Sequence, residues 1–227
     1  MIIGGGLVAS AFAPYFEYDP KVTVFAAGVS NSSETREEEF RREETLLVSS
    51  LAVAGQLLYF GSCSVFDREM AETHYVRHKL KMEALVGRAV GNAVFRLPQV
   101  VGKSPNPNLL TNFLYRKIKS GEHFNVWKNA RRNLIDVSDI AAIVAHLMRA
   151  HGALGGVYNI ACPFSISILG LVETFEAVLG QKANYSLIDA GAGYAIDVPE
   201  VLRASIELGI SFDGGYVERT IRKYYGK

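Results

Sequence analysis

The sequence predicts an α/β protein, a parallel sheet with helices on both faces, and three observations carry that expectation. Apolar runs rich in Val, Phe, Leu and Tyr recur at 1–3, 21–27, 56–61 and 92–97, each long enough for a buried strand. Segments of helical spacing separate them at 7–16, 34–54 and 68–90. A chain of 227 residues is long enough for one substantial core with a small appended lobe. Parallel neighbours need a crossover that lies on a face of the sheet, so strand alternating with helix is the expected pattern.

Each element has its own signal. The helix over 7–16 follows the run "GGG". The one over 34–54 opens with "ETREEEFRREE", which mixes both charge signs and reads as a solvated helix face, and continues into the apolar "LLVSSLAVA". The third runs from Asp67 towards Gly91. Beyond Gly102 the texture changes. "KSPNPN" is a loop or a mobile lid, 108–120 is helical, and "HFNVWKN" is a short strand. "LIDVSDIAAIVAHLMRA" gives a strand and a helix capped near Ser138 or Asp139. "GGVYNIA" is a further strand and 166–180 a helix, and the tail holds two short helices across a Gly-rich turn. These assignments divide the chain into a reduced core domain, 1–102, and a segment, 103–227, that returns a strand and helices to the core and forms a smaller lobe. No internal repeat or low-complexity linker occurs.

Composition excludes several classes. A net charge of +1 leaves no basic field for nucleic acid. The two cysteines, Cys63 and Cys162, stand in unrelated contexts, so neither a disulfide framework nor a zinc site is expected; both read as small buried hydrophobes. The opening "MIIGGGLVASAF" is too short, too glycine-rich and too poor in basic residues for a signal peptide, and no apolar run reaches bilayer length. The expectation is a cytoplasmic protein with no membrane partner.

Two motifs carry chemistry. Gly4-x-Gly6-x-x-Ala9 between a strand and a helix matches the dinucleotide-binding turn, whose glycines let backbone N–H groups approach a pyrophosphate. The same residues would serve an ordinary tight turn. A Rossmann unit also places an acid about twenty residues on, to hold a ribose. Here that count reaches Ala26-Ala27-Gly28, so the clamp is missing. The second motif is Tyr75 and Lys79, four apart on one helix face. An ammonium beside a phenol stabilises the phenolate and makes the tyrosine a usable acid/base. Ser62, at the end of the strand "LLYFGSCS", could hold the reacting oxygen. A second Tyr-x-x-x-Lys pair, Tyr115 and Lys119, follows a loop without a serine-ended strand and measures how cheap the spacing is. His74 and His78 sit at i and i+4 without a metalloprotease glutamate, and read as a polar helix face; no metal site is expected.

On these residues the chain resembles the extended short-chain dehydrogenase/reductases, the NAD-dependent epimerase/dehydratase group that acts mainly on nucleotide sugars. "YFGSCSVFD" and "YVRHKLKMEAL" look like that family's serine strand and catalytic helix. "AVFRLPQVVG", "ARRNLIDVSDIAAIVAHLM", "GGVYNIACPFSISILGLVETF" and "LGISFDGGYVERTIRKYY" follow its later segments in order. The implied fold is a Rossmann-like parallel sheet, truncated in its first half, with a small C-terminal substrate lobe. The resemblance implies Ser62, Tyr75 and Lys79 as the catalytic set, with Tyr75 exchanging a proton with a sugar hydroxyl while hydride passes to or from NAD or NADP. Cofactor contacts are implied at Gly4, Gly6, Ala9, Ala26, Ala27 and Pro98, besides Tyr75 and Lys79. Arg132 falls on the arginine that grips the nucleotide-sugar diphosphate, and Gln99 and Asn108 on substrate-side positions. Trp127 lies near a nucleobase position or plugs the small lobe. A homodimer through helices 34–54 and 68–90 is also implied.

The departures matter as much. Family members are longer, and the missing length falls between Ser10 and Lys21, where about ten residues stand. A βαβ unit needs about thirty. The absent elements carry the adenine pocket and the ribose acid. Dehydration falls behind epimerisation and reduction, because dehydratases show an Asp-Glu pair after the serine where this chain has Cys63-Ser64. A trimmed, non-catalytic binding or assembly subunit is the alternative from another class. A third is an enzyme that borrows the adenosine site from a dimer partner.

Overall fold

The computed structural model describes residues 1–152 and 154–226. Strand β1 (Ile2–Ile3) runs into helix α1 (Leu7–Phe16), and β2 (Val22–Phe25) into α2 (Glu37–Leu51). β3 (Gln56–Ser62) is followed by a 3₁₀ turn, Cys63–Phe66, then α3 (His74–Val86) and β4 (Ala93–Leu97). The helix expected over 68–90 is shorter at both ends. Its start is fixed by Thr73, whose hydroxyl accepts the Val76 N–H at 3.3 Å, so 68–72 form a turn instead. Nor is "ETREEEFRREE" a wholly solvated face, because Glu34 and Glu43 are both buried.

The chain then leaves the sheet through β5 (Gln99–Val101), α4 (Leu110–Ser120), β6 (Phe124–Trp127), β7 (Arg131–Arg132) and β8 (Leu134–Asp136). It returns with α5 (Val137–His151) and β9 (Gly156–Asn159). The cap of α5 is Asp136 rather than Ser138 or Asp139. β8 passes straight into the helix, so its last residue doubles as the cap and accepts the Ser138 N–H at 2.8 Å. The remaining elements are β10 (Ile166–Ser167), α6 (Ile168–Leu179), β11 (Tyr185–Ile188), α7 (Pro199–Leu208) and α8 (Tyr216–Tyr225).

The central sheet has five parallel strands in the order β1-β2-β3-β4-β9. Its two-residue alternation sorts the core into faces. Val22, Val24, Leu58, Phe60, Ala93 and Phe95 pack with α1, α5 and α7, whereas Phe25, Leu57, Tyr59 and Val94 pack with α2 and α3. A second apolar cluster joins α4, β6, α6 and α8 through Leu114, Ile118, Phe124, Leu171, Phe175 and Ile221. Both cysteines are buried and free.

One feature of the connectivity follows from these faces. The chain steps from β1 to β2 to β3 to β4 in a single direction, yet α1 lies on one face and α2 and α3 on the other. The β1-α1-β2 unit therefore has the opposite hand to the next two. Right-handed crossovers make up about 98% of such units, which makes β1-α1-β2 the left-handed one. Ligand crevices in open α/β sheets form where neighbouring connections diverge to opposite faces. Here that divergence lies between β1 and β2, although the strand order never reverses.

Candidate active site

At this divergence the carboxyl ends of β1 to β4 surround one cavity of about 780 Å³. Gly4 and Gly6 line one side, and Ala26, Ala27 and Gly28 continue the wall from the end of β2. Ser62, from the end of β3, and Tyr75 and Lys79, from the first turns of α3, complete the other side. Pro98, Gln99 and Asn108 line it as well. Nearly all the expected residues thus share one space. Ala9 does not; it is buried in α1, the position where a small side chain serves helix–sheet packing. Arg132 also lies off the wall, with its Nη1 donating to the carbonyls of Arg131 at 2.8 Å and Ala192 at 3.2 Å. Trp127 is half-exposed on β6, away from the cavity. The second Tyr-x-x-x-Lys pair is separate too: Tyr115 lines a smaller hollow beside Tyr224 and Tyr225, and Lys119 is exposed.

The glycine turn is built for close approach. Gly4 has φ +120°, and a Cβ there would stand 2.5 Å from the Ala26 carbonyl oxygen, so no other residue fits. Above Gly5 and Gly6 there is open space instead. Gly6 is the N-cap of α1 and supplies no side-chain cap, which leaves the first-turn N–H groups of α1 beside the cavity. The residues present suit a diphosphate here. At the far end of β2 no acid is available for a ribose, as the sequence indicates.

The opposite side is formed by buried side chains. Ser62 and Tyr75 are both buried, and Ser62 Oγ accepts the Ser64 N–H at 3.1 Å, which leaves its hydroxyl hydrogen free to donate. Lys79 is held by groups that sequence reasoning missed. Its Nζ lies 3.1 Å from Glu43 Oε1 and 3.2 Å from the Tyr59 hydroxyl. Tyr59 donates to Glu43 Oε1 at 2.6 Å, and the Val29 N–H donates to Oε2 at 2.6 Å. Burial alone would raise the Glu43 pKa, but the His78 ring, the Lys79 charge and these donors outweigh it and hold the carboxyl at about 2. Burial, then the Glu43 charge, pushes the Tyr59 hydroxyl well above its usual range. His78 is thereby not part of a polar helix face. It is buried, with Nε2 at 3.1 Å from Glu43 Oε2 but off the N–H axis, so the ring makes a close polar contact without an aligned hydrogen bond.

Further wall residues come from outside the motifs. Tyr194, in the segment before α7, reaches the cavity, and burial lifts its hydroxyl to about 12. The "KSPNPN" loop supplies Lys103, Ser104 and Asn106, and Asn112 Nδ2 ties it down through the carbonyls of Ser104 at 2.9 Å and Asn106 at 2.7 Å. It is a braced wall rather than a free loop. Among the described residues no group of three or more His, Cys, Asp or Glu could hold a metal, and no helix is long and apolar enough to cross a membrane.

A parallel sheet with a glycine turn and a Ser-Tyr-Lys set on one cavity defines a Rossmann-like protein of short-chain dehydrogenase type. A model of the NAD dependent epimerase/dehydratase family matches residues 7–161, and the chain belongs to that family. A search of curated proteins gave no match. Among solved structures, RMD from Pseudomonas aeruginosa complexed with NADPH has a TM-score of 0.70 at 15% identity, over 99% of this chain and 97% of that one. A UDP-glucuronic acid 4-epimerase from Bacillus cereus, bound to a fluorinated UDP-glucuronic acid and NAD, gives 0.71 at 15% identity, over 91% and 74%. A UDP-N-acetylglucosamine 4-epimerase from Methanobrevibacter ruminantium, with UDP-N-acetylmuramic acid, gives 0.70 at 17% identity, over 90% and 75%. At these identities the likeness establishes the fold.

Proposed function

We propose that the protein is an NAD(P)-dependent epimerase or keto-reductase of a nucleotide sugar. One observation carries the reading: a single cavity holds the bare glycine turn on one side and Ser62, Tyr75 and Lys79 on the other. The α1 N-terminus and Gly4 to Gly6 would take the cofactor diphosphate, and Lys79 with Ala26, Ala27 and Pro98 its nicotinamide half. The nicotinamide, when bound, supplies or accepts hydride. Tyr75 moves the proton: its hydroxyl gives it to a sugar carbonyl oxygen during reduction, or takes it from a sugar hydroxyl during oxidation. The Ser62 hydroxyl holds that same oxygen in place. Both side chains are buried, which keeps water from competing for the proton.

Gln99, Asn108 and Tyr194 fall to the substrate side, with residues 103–227 supplying most of that lobe and 1–102 the cofactor side. Arg132 takes the substrate diphosphate in this reading only if its guanidinium leaves the two carbonyls it now holds. A homodimer through α2 and α3 is part of the same proposal. A second reading rests on the missing βαβ unit. With no ribose acid, a folded family member could serve as a non-catalytic binding or assembly subunit.

Calorimetric titration with NAD⁺, NADH, NADP⁺ and NADPH, beside a Lys79→Ala control, separates the two. Micromolar binding that weakens in the control supports the enzyme. A folded protein that binds none of the four overturns it and leaves the second reading.

A further inference from the structure

We propose that Glu43 is the positioning residue for Lys79: it fixes the ammonium at the cavity wall and leaves it one N–H to offer a ligand. The proposal deepens the reading of this cavity as the cofactor site, and rests on that reading for the ligand it names. Its geometry stands independently.

Glu43 projects from α2 and Lys79 from α3, and they meet behind the ends of β2 and β3 with 0% and 3% of their side chains exposed. An ammonium has three N–H donors. One points to the Glu43 carboxylate, with Oε1 at 3.1 Å and Oε2 at a longer 3.5 Å, and one to the Tyr59 hydroxyl at 3.2 Å; among the described residues no acceptor outside these two side chains takes the third. The carboxylate is itself anchored, with Oε1 taking the Tyr59 hydroxyl and Oε2 the Val29 N–H. It therefore cannot follow Lys79 if the lysine swings. The wall is shaped around the pair as well. A Cβ on Gly28 would stand 2.7 Å from Lys79 Nζ and 2.9 Å from Glu43 Oε1, so only glycine leaves both in place.

A buried ion pair is no better for stability than a well-packed apolar pair. Its presence on the cavity wall is thus better explained by what it does for the lysine. The pair holds the Lys79 Nζ at a fixed place on the wall. The Nζ lies 5.9 Å from the centre of the Tyr75 ring, and the last N–H is available to a vicinal diol such as a ribose. In α2 Glu43 falls on the buried stripe with Leu47 and Ser50, at i+4 and i+7, an acid where the face is otherwise turned inward.

The test reads the lysine directly. Wild-type protein, Glu43→Gln and Tyr59→Phe are acetylated competitively with trace acetic anhydride at neutral pH, and each lysine is quantified by mass spectrometry. Lys103, exposed on the same cavity, is the internal standard. Wild-type Lys79 is expected to react at least tenfold more slowly than Lys103. Glu43→Gln removes the carboxylate that holds Nζ against the wall, and should raise its rate at least tenfold with Lys103 unchanged. A folded Glu43→Gln protein with Lys79 as slow as in wild type overturns the proposal. If that variant does not fold, Tyr59→Phe decides: a rise of about threefold or more supports it, and no change sinks it. NADPH titration of the same samples keeps the two ideas apart. Wild type that binds no nucleotide but shows the labelling pattern refutes the cofactor reading alone; wild type that binds while Glu43→Gln labels normally refutes the positioning role alone.

Discussion

Glu83 and Arg96 form a two-pronged ion pair between α3 and β4, with Arg96 Nη2 at 2.6 Å and Nε at 3.1 Å from Glu83 Oε2. It packs under β3, where a Cβ on Gly61 would stand 2.4 Å from Glu83 Oε1. The glycine before Ser62 is thus there for the carboxylate behind it.

Gly61→Ala should accordingly destabilise the fold by about 1–3 kcal/mol, the usual cost of overpacking. Glu83→Ala should cost about 3 kcal/mol or more, because it strands the Arg96 charge. Urea unfolding checks both. A neutral Gly61→Ala would mean that the pair moves aside freely.

Tyr75→Phe removes one hydroxyl and little packing. Turnover with a nicotinamide cofactor and a nucleotide sugar is expected to fall at least about a hundredfold, with circular dichroism unchanged. A variant retaining full rate would remove Tyr75 from the chemistry.

Acid should erase the contribution of Glu43. Its folded pKa, at about 2, lies below the ordinary 4.5, so its ionised form stabilises the fold above 4.5 and that stability is lost as pH falls toward 2. The protonated carboxyl then resembles the amide of Glu43→Gln. The difference in unfolding free energy between wild type and Glu43→Gln should therefore be largest near neutral pH and shrink below 4.5. A difference independent of pH would show that the charge contributes nothing.

Asp136 caps α5 and also accepts the Lys223 ammonium at 2.8 Å and the Tyr224 hydroxyl at 2.7 Å, tying α8 to the core. Asp136→Ala should cost about 2 kcal/mol, more than a cap alone typically loses, and should loosen α8 first. Limited proteolysis that cuts near α8 sooner than in wild type would show it.

The sequence made the parallel sheet, the Tyr75–Lys79 helix and the glycine turn legible because each depends on local period and spacing. Ser62, Tyr75 and Lys79 share a wall as expected, since a strand end and the helix after it are neighbours in any such fold. Glu43 and Tyr59 were invisible for the opposite reason. Glu43 sits in a run of mixed charge that masks its place on the same helix face as Leu47 and Ser50, and which groups that face meets was set only by the packing of α2 on α3. Tyr59 reads as an ordinary strand aromatic until its hydroxyl finds that acid. Tyr194 has no local signal at all, because a long irregular segment carries it back to the cavity. The short gap between α1 and β2 announced that elements were missing. That β1 would then pair directly with β2, and that its crossover would take the rarer hand, needed the three-dimensional arrangement.

β1 contributes two residues and is paired on one side, its hold on β2 including the bonds from Val24 N–H to Met1 O at 2.9 Å and from Ala26 N–H to Ile3 O at 2.8 Å. The glycine turn hangs from that strand. A short edge strand of this kind is expected to open at lower free energy than the central β3 and β4. A ligand gripping the turn would close the margin as well as fill the cavity, so affinity and local fraying become one equilibrium. Amide exchange at Val24 and Ala26 should slow on binding well before the central strands register any change.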